Sequence, residues 1–481
     1  MKDATFYAEQ VKIGEVSPKE LIFDFVKKAE QEKELNAFVE LDPLSALEEL
    51  ADASDVQKES PFFGVPFPLK DLGQGKAGWL QTSGSRLFTE FQAFETSNYT
   101  KAVERAGFIP LGITAAPEFG FKNVTDPSSH GVTRNAWNPK YHAGGSSGGA
   151  ASVVASGISP IAGASDGGGS IRIPASFSGL LGLKPSRGNI VTGPSSWRDW
   201  QGASVNFILG VSVRDARSML KVLEPTNQIS PFSQPKETPV SMSRPLKVAL
   251  CMDSPVGNAV SDEAKQGVKD AALFLESQGH IIEEVPYPID GHQLIRSYYQ
   301  MNGGETANMI QQISLGVGRE LTQEDMEPMS WTIYQYGKTL SAADYVASLE
   351  SWDQAANTME RLFQHYDLFL SPTATTMAPL VTEDLQSDSI RRQMSHADEL
   401  NQKELGDLVY GMFEKSLWIT PYTQLSNLTG QPAISLPTHV TKEGLPIGVQ
   451  LMAAKGQDRF LLDVAELFEV NQRFILPKVY R

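Results

Sequence analysis

The stretch Gly144–Arg187, GGSSGGAASVVASGISPIAGASDGGGSIRIPASFSGLLGLKPSR, holds two glycine-cradled serines, Ser146 and Ser170, and the rest of the chain reads as their support. Gly167, Gly168 and Gly169 carry no side chain, so a sharp turn there aims successive backbone N–H groups into one concavity suited to an anion or oxyanion. Pro160 to Ala164 are short and mostly apolar, as in a buried strand, and Pro174 stands where a first helical turn tolerates proline. The order is strand, glycine turn, serine, short helix. Between the clusters, Gly148 to Gly157 predicts a helix whose small face, Ala150, Ala151 and Ala155, packs closely on a sheet, with Gly157 as its cap.

A lone GGS is most often a flexible turn, but two such clusters around one helix are harder to dismiss. Ile171 and Arg172 follow Ser170 where a P-loop requires Lys-Ser or Lys-Thr, and no GxGxxG opens a helix, which argues against phosphate binding. The same two residues remove the G-x-S-x-G elbow of an α/β-hydrolase, so a nucleophilic serine here needs another base. Only His130 and His142 of the seven histidines fall near the motif, and none has metal-ligand spacing, so neither metal nor cofactor is expected. His142 is one candidate base by its nearness in sequence. Lys70, at the end of the apolar run Val65 to Leu69, is another, although taken alone it reads as a strand-end lysine reaching solvent.

With 41% hydrophobic and 20% charged residues over 481 positions, the chain can bury a substantial core and is not disordered. A formal charge of −16 argues against nucleic-acid phosphates or an anionic membrane as partners. The single cysteine, Cys251, excludes an intrachain disulfide and reads as a buried thiol. MKDATFYAEQ has no secretory or lipidation pattern and no long apolar run follows, so a cytoplasmic protein is expected.

Along the chain, residues 3 to 55 read as helices, opened by the capping box Ser17-Pro18-Lys19-Glu20 and again at Asp42-Pro43. Phe62 to Leu72 is a strand carrying Lys70, Thr96 to Ala106 a helix and Gly107 to Ile113 a buried strand, a βαβ rhythm that implies a partly parallel sheet. Residues 192 to 245 read as loops around short elements. Leu246 to Met252, a helix from Asp262 to Gly279 capped by Ser261, and Ile281 to Val285 form a second βαβ passage. Residues 292 to 365 are helical and aromatic, with Tyr298, Tyr299, Trp331, Tyr334, Tyr336, Tyr345 and Trp352 serving mostly as core. Asp367 to Pro372 is a further strand, and Glu383 to Glu404 is a charged surface helix or lid.

GGSSGG followed by SDGGGSIRIPASFSGLLGLKPSRG resembles the signature of the amidase signature family, serine hydrolases that cleave amides with a Ser-cisSer-Lys triad. The resemblance extends upstream to GVPFPLKD around Lys70 and downstream to GQPAISLPTHVTKEGLPIGVQLMAA, and so covers nearly the whole chain. DGGGSIRIPAS, with TRNAWNP before it and GLKPSRG after it, looks closest to the branch of 6-aminohexanoate cyclic dimer hydrolase and related broad amidases. What the resemblance implies is Ser170 as nucleophile, Ser146 as a bridging serine after a cis peptide bond, Lys70 as base, and Asp166 and Arg172 as a pair fixing the loop. Such a lysine must be neutral, which burial promotes by disfavouring its charged form. Backbone N–H groups of the Gly167, Gly168, Gly169 and Ser170 turn would bind the substrate's oxyanion. The family usually has GKTN where this chain has Gly112-Ile113-Thr114-Ala115, which leaves Lys70 as the lysine base near the motif.

The implied fold is one α/β/α sandwich over residues 1–481 with a mixed, largely parallel central sheet covered by helices. Its parts are an N-terminal helical segment (1–60), a core with the signature (61–290), a helical, aromatic-rich insertion (291–365) and the rest of the core (366–481). The implied reaction takes a small-molecule amide to acid and amine or ammonia. The glutamine-hydrolysing component of the tRNA-dependent amidotransferase and a catalytically silent binding protein on the same scaffold stay open as alternatives, and a homodimer is compatible with the sequence.

Overall fold

The computed structural model describes residues 1–225 and 229–481, so residues 226–228 of the stretch read as loops lie outside it. Its strands are β1 (Phe38–Leu41), β2 (Pro66–Lys70), β3 (Ile109–Thr114), β4 (Ile161–Asp166), β5 (Leu181–Lys184), β6 (Val205–Gly210), β7 (Lys247–Leu250), β8 (Ile281–Glu284), β9 (Leu368–Pro372), β10 (Ala433–Val440) and β11 (Pro446–Met452). They form an eight-stranded sheet in the order β4-β6-β5-β10-β11-β9-β7-β8 and a three-stranded sheet in the order β1-β3-β2. The helices Arg172–Ser178, Asp262–Ser277 and Asp458–Val470 pack on the larger sheet, giving a single α/β domain. No helix among the described residues is long and apolar enough to cross a membrane.

The sheet is mixed, as expected, but its pairing is not largely parallel. Within the eight strands, only β7–β8 and β7–β9 run parallel among the described pairs, while β4–β6, β6–β5, β5–β10, β10–β11 and β11–β9 are antiparallel. Connection length accounts for two of these pairs. β7 and β8 are joined by the helix Asp262–Ser277, long enough for a parallel crossover, whereas β10 and β11 are joined by a tight turn closed by Thr441 N–H donating to Leu445 O (2.8 Å). The βαβ unit of β2, the helix Asn98–Arg105 and β3 is parallel as predicted.

Two further expectations are corrected. The N-terminal region is not wholly helical: Asn36, at φ 51°, turns the chain out of a 3-10 turn, and β1 pairs antiparallel with β3. Four residues between capped helices give too short a period to read as a strand. The stretch 192 to 245 contributes β6, which lies between β4 and β5, and the helix Val213–Val222. The alternation of apolar residues in VNFILG was the available signal, masked by turn residues around it.

Cys251 is buried just past β7, as predicted, and burial pushes its thiol up to about 11. The aromatic region resolves into the helices Gly291–Val317, Pro328–Thr339 and Ala342–Leu362. In the segment 383 to 404, the helix Asp388–Met394 is surface-lying but buries Met394.

The helix Gly148–Ala155 is buried along its whole length, and its first residues decide how closely it approaches the smaller sheet. A Cβ on Gly149 would stand 2.3 Å from Ala115 N and 2.5 Å from Ala37 O, both backbone atoms that cannot swing away. Helix propensity favours alanine over glycine by about 1 kcal/mol, but overpacking against fixed backbone typically costs about 1–3 kcal/mol or more. Gly149→Ala is therefore expected to lower stability, read as a lower urea midpoint; a raised midpoint would contradict this packing.

Candidate active site

Lys70 ends β2, every residue of which is buried, and is itself only 1% exposed. Its backbone N–H donates to Gln74 Oε1 (2.9 Å), and Gln74 Nε2 donates to Ala164 O (3.0 Å), tying β2 to β4 in the other sheet. At the far end of the side chain, Nζ lies 2.8 Å from Ser146 Oγ and 2.8 Å from Ser165 Oγ. Burial drives Lys70 down from its ordinary value to about 7, against the opposing charges of Asp166 and Asp71. Asp71 is itself buried, which pushes its carboxyl up to about 6 even though Thr82 and Gly84 donate to it.

The peptide bond between Gly145 and Ser146 is cis. Next to it, Ser147 joins the two serine clusters: its Oγ donates to Ser165 O (3.2 Å) and its N–H donates to Ser170 O (3.3 Å). Ser170 is half-buried and faces a cleft that it shares with Ser146, Ser165, Gly167 and Gly168. The glycine turn does not offer all its amides to that cleft. Gly169 N–H donates to Asp166 Oδ1 (2.7 Å) and Ile171 N–H to Asp166 Oδ2 (3.1 Å), so the amides without a partner among the described residues are those of Gly167, Gly168 and Ser170. Glycine is required at 169, where φ is 130° and a Cβ would stand 2.3 Å from Thr423 Oγ1.

Behind the turn, Asp166 and Arg172 are both fully buried and pair through two parallel bonds, Nε to Oδ2 (3.0 Å) and Nη2 to Oδ1 (2.9 Å). Arg172 spends its remaining donors on Thr423 O, Gln450 Oε1 and Asn427 Oδ1, and Asn427 Nδ2 returns to Asp166. Burial opposes the Asp166 charge, yet Arg172 outweighs it and holds the carboxyl well below the usual carboxylate range. Arg172→Met would leave Asp166 buried without its cation. The expected loss is about 3–5 kcal/mol of stability, measured by urea denaturation; a loss under about 1 kcal/mol would mean that the pair does not hold the turn.

The cleft, about 820 Å³ with its open mouth included, is walled by Leu72, Phe119, Phe121, Trp200, Tyr298 and Phe413. Tyr298 stands over the glycine turn, its Oη 2.9 Å from where a Cβ on Gly168 would be. Trp200 comes from a turn in which Asp199, Trp200 and Gln201 take φ values of 35°, 58° and 53° before Gly202 at 75°. Left-handed backbone costs L-residues about 1–2 kcal/mol each.

The structure thus brings Ser146, Gly167, Gly168 and Ser170 to one cleft, with Lys70 buried behind Ser146 and Ser165. It leaves out His142, which is buried, pulled down by that burial, and tied by its backbone N–H to Pro379 O (3.0 Å) away from the cleft lining. Ser165 escaped the sequence reading. Its signal was a polar side chain in the otherwise apolar β4, one residue before Asp166. Trp200 escaped as well, because nothing local marks a loop tryptophan as part of a site.

A desolvated lysine bonded to hydroxyls beside unpaired backbone amides is equipment for acyl transfer through serine on an α/β scaffold. Residues 20–462 match the family described as Amidase, and the chain belongs to that family. The lipoamidase of Enterococcus faecalis is 38% identical over 446 residues, which are 92% of this chain but 60% of that protein, so the chain spans less than two thirds of this relative. The 6-aminohexanoate-cyclic-dimer hydrolase of Pseudomonas sp. (strain NK87) is 31% identical over 487 residues, covering 97% of this chain and 94% of that enzyme. A solved structure of 6-aminohexanoate cyclic dimer hydrolase matches with a TM-score of 0.88 at 31% identity, over 100% of this chain and 98% of the other.

Proposed function

We propose that the chain hydrolyses a carboxylic amide to acid and amine or ammonia through an acyl-serine intermediate, with Ser170 as nucleophile, Ser146 as proton relay and Lys70 as base. The observation that carries this reading is the buried contact of Lys70 Nζ with Ser146 Oγ at 2.8 Å, in surroundings that bring the lysine to about 7. Neutral Lys70 donates an N–H to Ser165 Oγ and takes the proton of Ser146 Oγ through its lone pair, while Ser146 takes the proton of Ser170. Ser170 Oγ then bonds to the substrate's carbonyl carbon. The oxygen that becomes negative sits on the amides of Gly167, Gly168 and Ser170, each donor being worth about 3 kcal/mol in the transition state. The relay returns its proton to the substrate nitrogen, the C–N bond breaks and the amine leaves. Water, deprotonated along the same path, attacks the ester carbon and frees Ser170.

The aromatic walls, Phe119, Phe121, Trp200, Tyr298 and Phe413, support an apolar acyl or aryl group as the substrate's larger part. A lipoamidase and a cyclic-dimer hydrolase among the relatives support an amide substrate. The same walls speak against glutamine, and hence against the glutamine-hydrolysing component of an amidotransferase. The buried contact of Lys70 with Ser146 speaks against a silent binding protein.

Ser170→Ala is expected to abolish covalent labelling by a fluorophosphonate, with Lys70→Ala and Ser146→Ala each cutting turnover by about 10²–10⁴-fold. Undiminished labelling of the Ser170 variant would refute the nucleophile.

The pH dependence has a definite sign. Because the neutral lysine is the active form, kcat/KM should climb about tenfold per pH unit below about 7 and level off above it. A rate that falls as pH rises through 7 would remove Lys70 as base. Turnover of aryl, linear aliphatic and cyclic amides by the chain alone, with glutamine inert, is the accompanying expectation; hydrolysis of glutamine alone would reverse the choice.

A further inference from the structure

Three successive non-glycine residues with left-handed backbone, Asp199, Trp200 and Gln201, are not a conformation that local sequence favours, since L-residues visit that region singly. Gly202, which closes the turn, is the one residue suited to it. The turn is therefore held from outside. Arg187 Nε donates to Gly202 O (2.9 Å), and the same guanidinium donates through Nη2 to Asn427 O (2.9 Å) and Leu428 O (2.8 Å), tying the turn to the helix that braces Asp166. On the other side, Gln201 Nε2 donates to Glu305 Oε1 (3.0 Å), to which Tyr345 Oη also donates. Ala203 N–H to Trp200 O (3.0 Å) and Ser204 N–H to Asp199 O (3.1 Å) close it internally.

Strain persists where surrounding structure over-determines it, and such sites cluster where a side chain must be aimed. What this turn aims is the Trp200 ring. It lines the cleft with Ser170 and Tyr298 and meets Phe121 edge-on, ring centroids 5.8 Å apart at 83°. A tryptophan needed only as filler for the neighbouring apolar cluster could be delivered by relaxed backbone.

We infer that Trp200, held by this left-handed turn against Phe121, is a specificity-determining residue that selects extended apolar or aryl acyl groups over small ones. The inference rests on the proposed amidase reading of the cleft. A rigid indole offers a large flat apolar face at low conformational cost, which rewards each methylene or ring that covers it and gives nothing to an acetyl group. Fixing the turn from two sides keeps that face at a constant distance from Ser170, so length and flatness of the acyl group are what it measures.

The test compares p-nitroanilides of acetate, hexanoate and benzoate, read as the ratio of kcat/KM for the larger acyl groups to that for acetyl. The wild-type chain is expected to favour hexanoyl and benzoyl, Trp200→Ala to lower that ratio about tenfold or more, and Trp200→Phe to keep most of it. A ratio unchanged within twofold in Trp200→Ala, or lost as fully in Trp200→Phe, overturns the role assigned to Trp200. Fluorophosphonate labelling at Ser170 separates this from the reading beneath it. Labelling that persists in the variants while the ratio stays put condemns the Trp200 inference alone, whereas a wild-type chain that is neither labelled nor active condemns the amidase reading.

Discussion

The buried pair of Asp166 and Arg172 is the constraint on which the site depends. A charged guanidinium without exposure is tolerated because every donor direction is met, by Asp166, Thr423, Gln450 and Asn427. Those partners come from β4, from β11 and from the segment around the helix Gln424–Thr429, so one side chain gathers parts of the chain more than 200 residues apart. The carboxylate it holds then takes the amides of Gly169 and Ile171, which fixes the curvature of the glycine turn and leaves the amides of Gly167, Gly168 and Ser170 for the cleft.

The same pair bears on Lys70. A free buried carboxylate near a lysine would favour the charged ammonium. Asp166 is paired with Arg172 but still opposes the shift, and burial outweighs it, so Lys70 settles at about 7. Asp71, adjacent in sequence, is restrained differently, with burial pushing it up to about 6. Both acids favour the charged lysine, and burial outweighs them. Lys184 shows that burial alone does not make such a site: it too is driven down to about 7 by burial, yet its Nζ donates only to Pro185 O (2.7 Å) and meets no hydroxyl.

Around this polar centre the chain supplies an aromatic cleft from distant segments. Phe119 and Phe121 follow β3, Trp200 precedes β6, Tyr298 lies on the helix Gly291–Val317 and Phe413 on the helix Gln402–Ile419. Lys70 and Ser165 ride on buried strands, and Ser146 and Ser170 on the turns that lead into buried helices, whereas the walls ride on loops and peripheral helices. That division lets the walls vary without disturbing the polar centre.

The sequence by itself determined what is local. The capping boxes at Ser17–Glu20, the proline-started helix after Asp42, the cap at Ser261 and the glycine turn before Ser170 are each written within a few residues, because capping and positive-φ geometry act over one turn. Motif resemblance put Lys70, Ser146 and Ser170 forward as candidates, and the close-packing helix between the clusters was legible through its run of small residues. Only the tertiary structure decided the antiparallel order of most of the large sheet, the place of β6 inside it, and Ser165 as second partner of Lys70. It also decided that Gly169 turns its amide to Asp166 and that Trp200 reaches the cleft from a left-handed turn. These depend on which segments meet across hundreds of residues. Pairing, burial and strain are properties of that meeting, and no short stretch of chain encodes them.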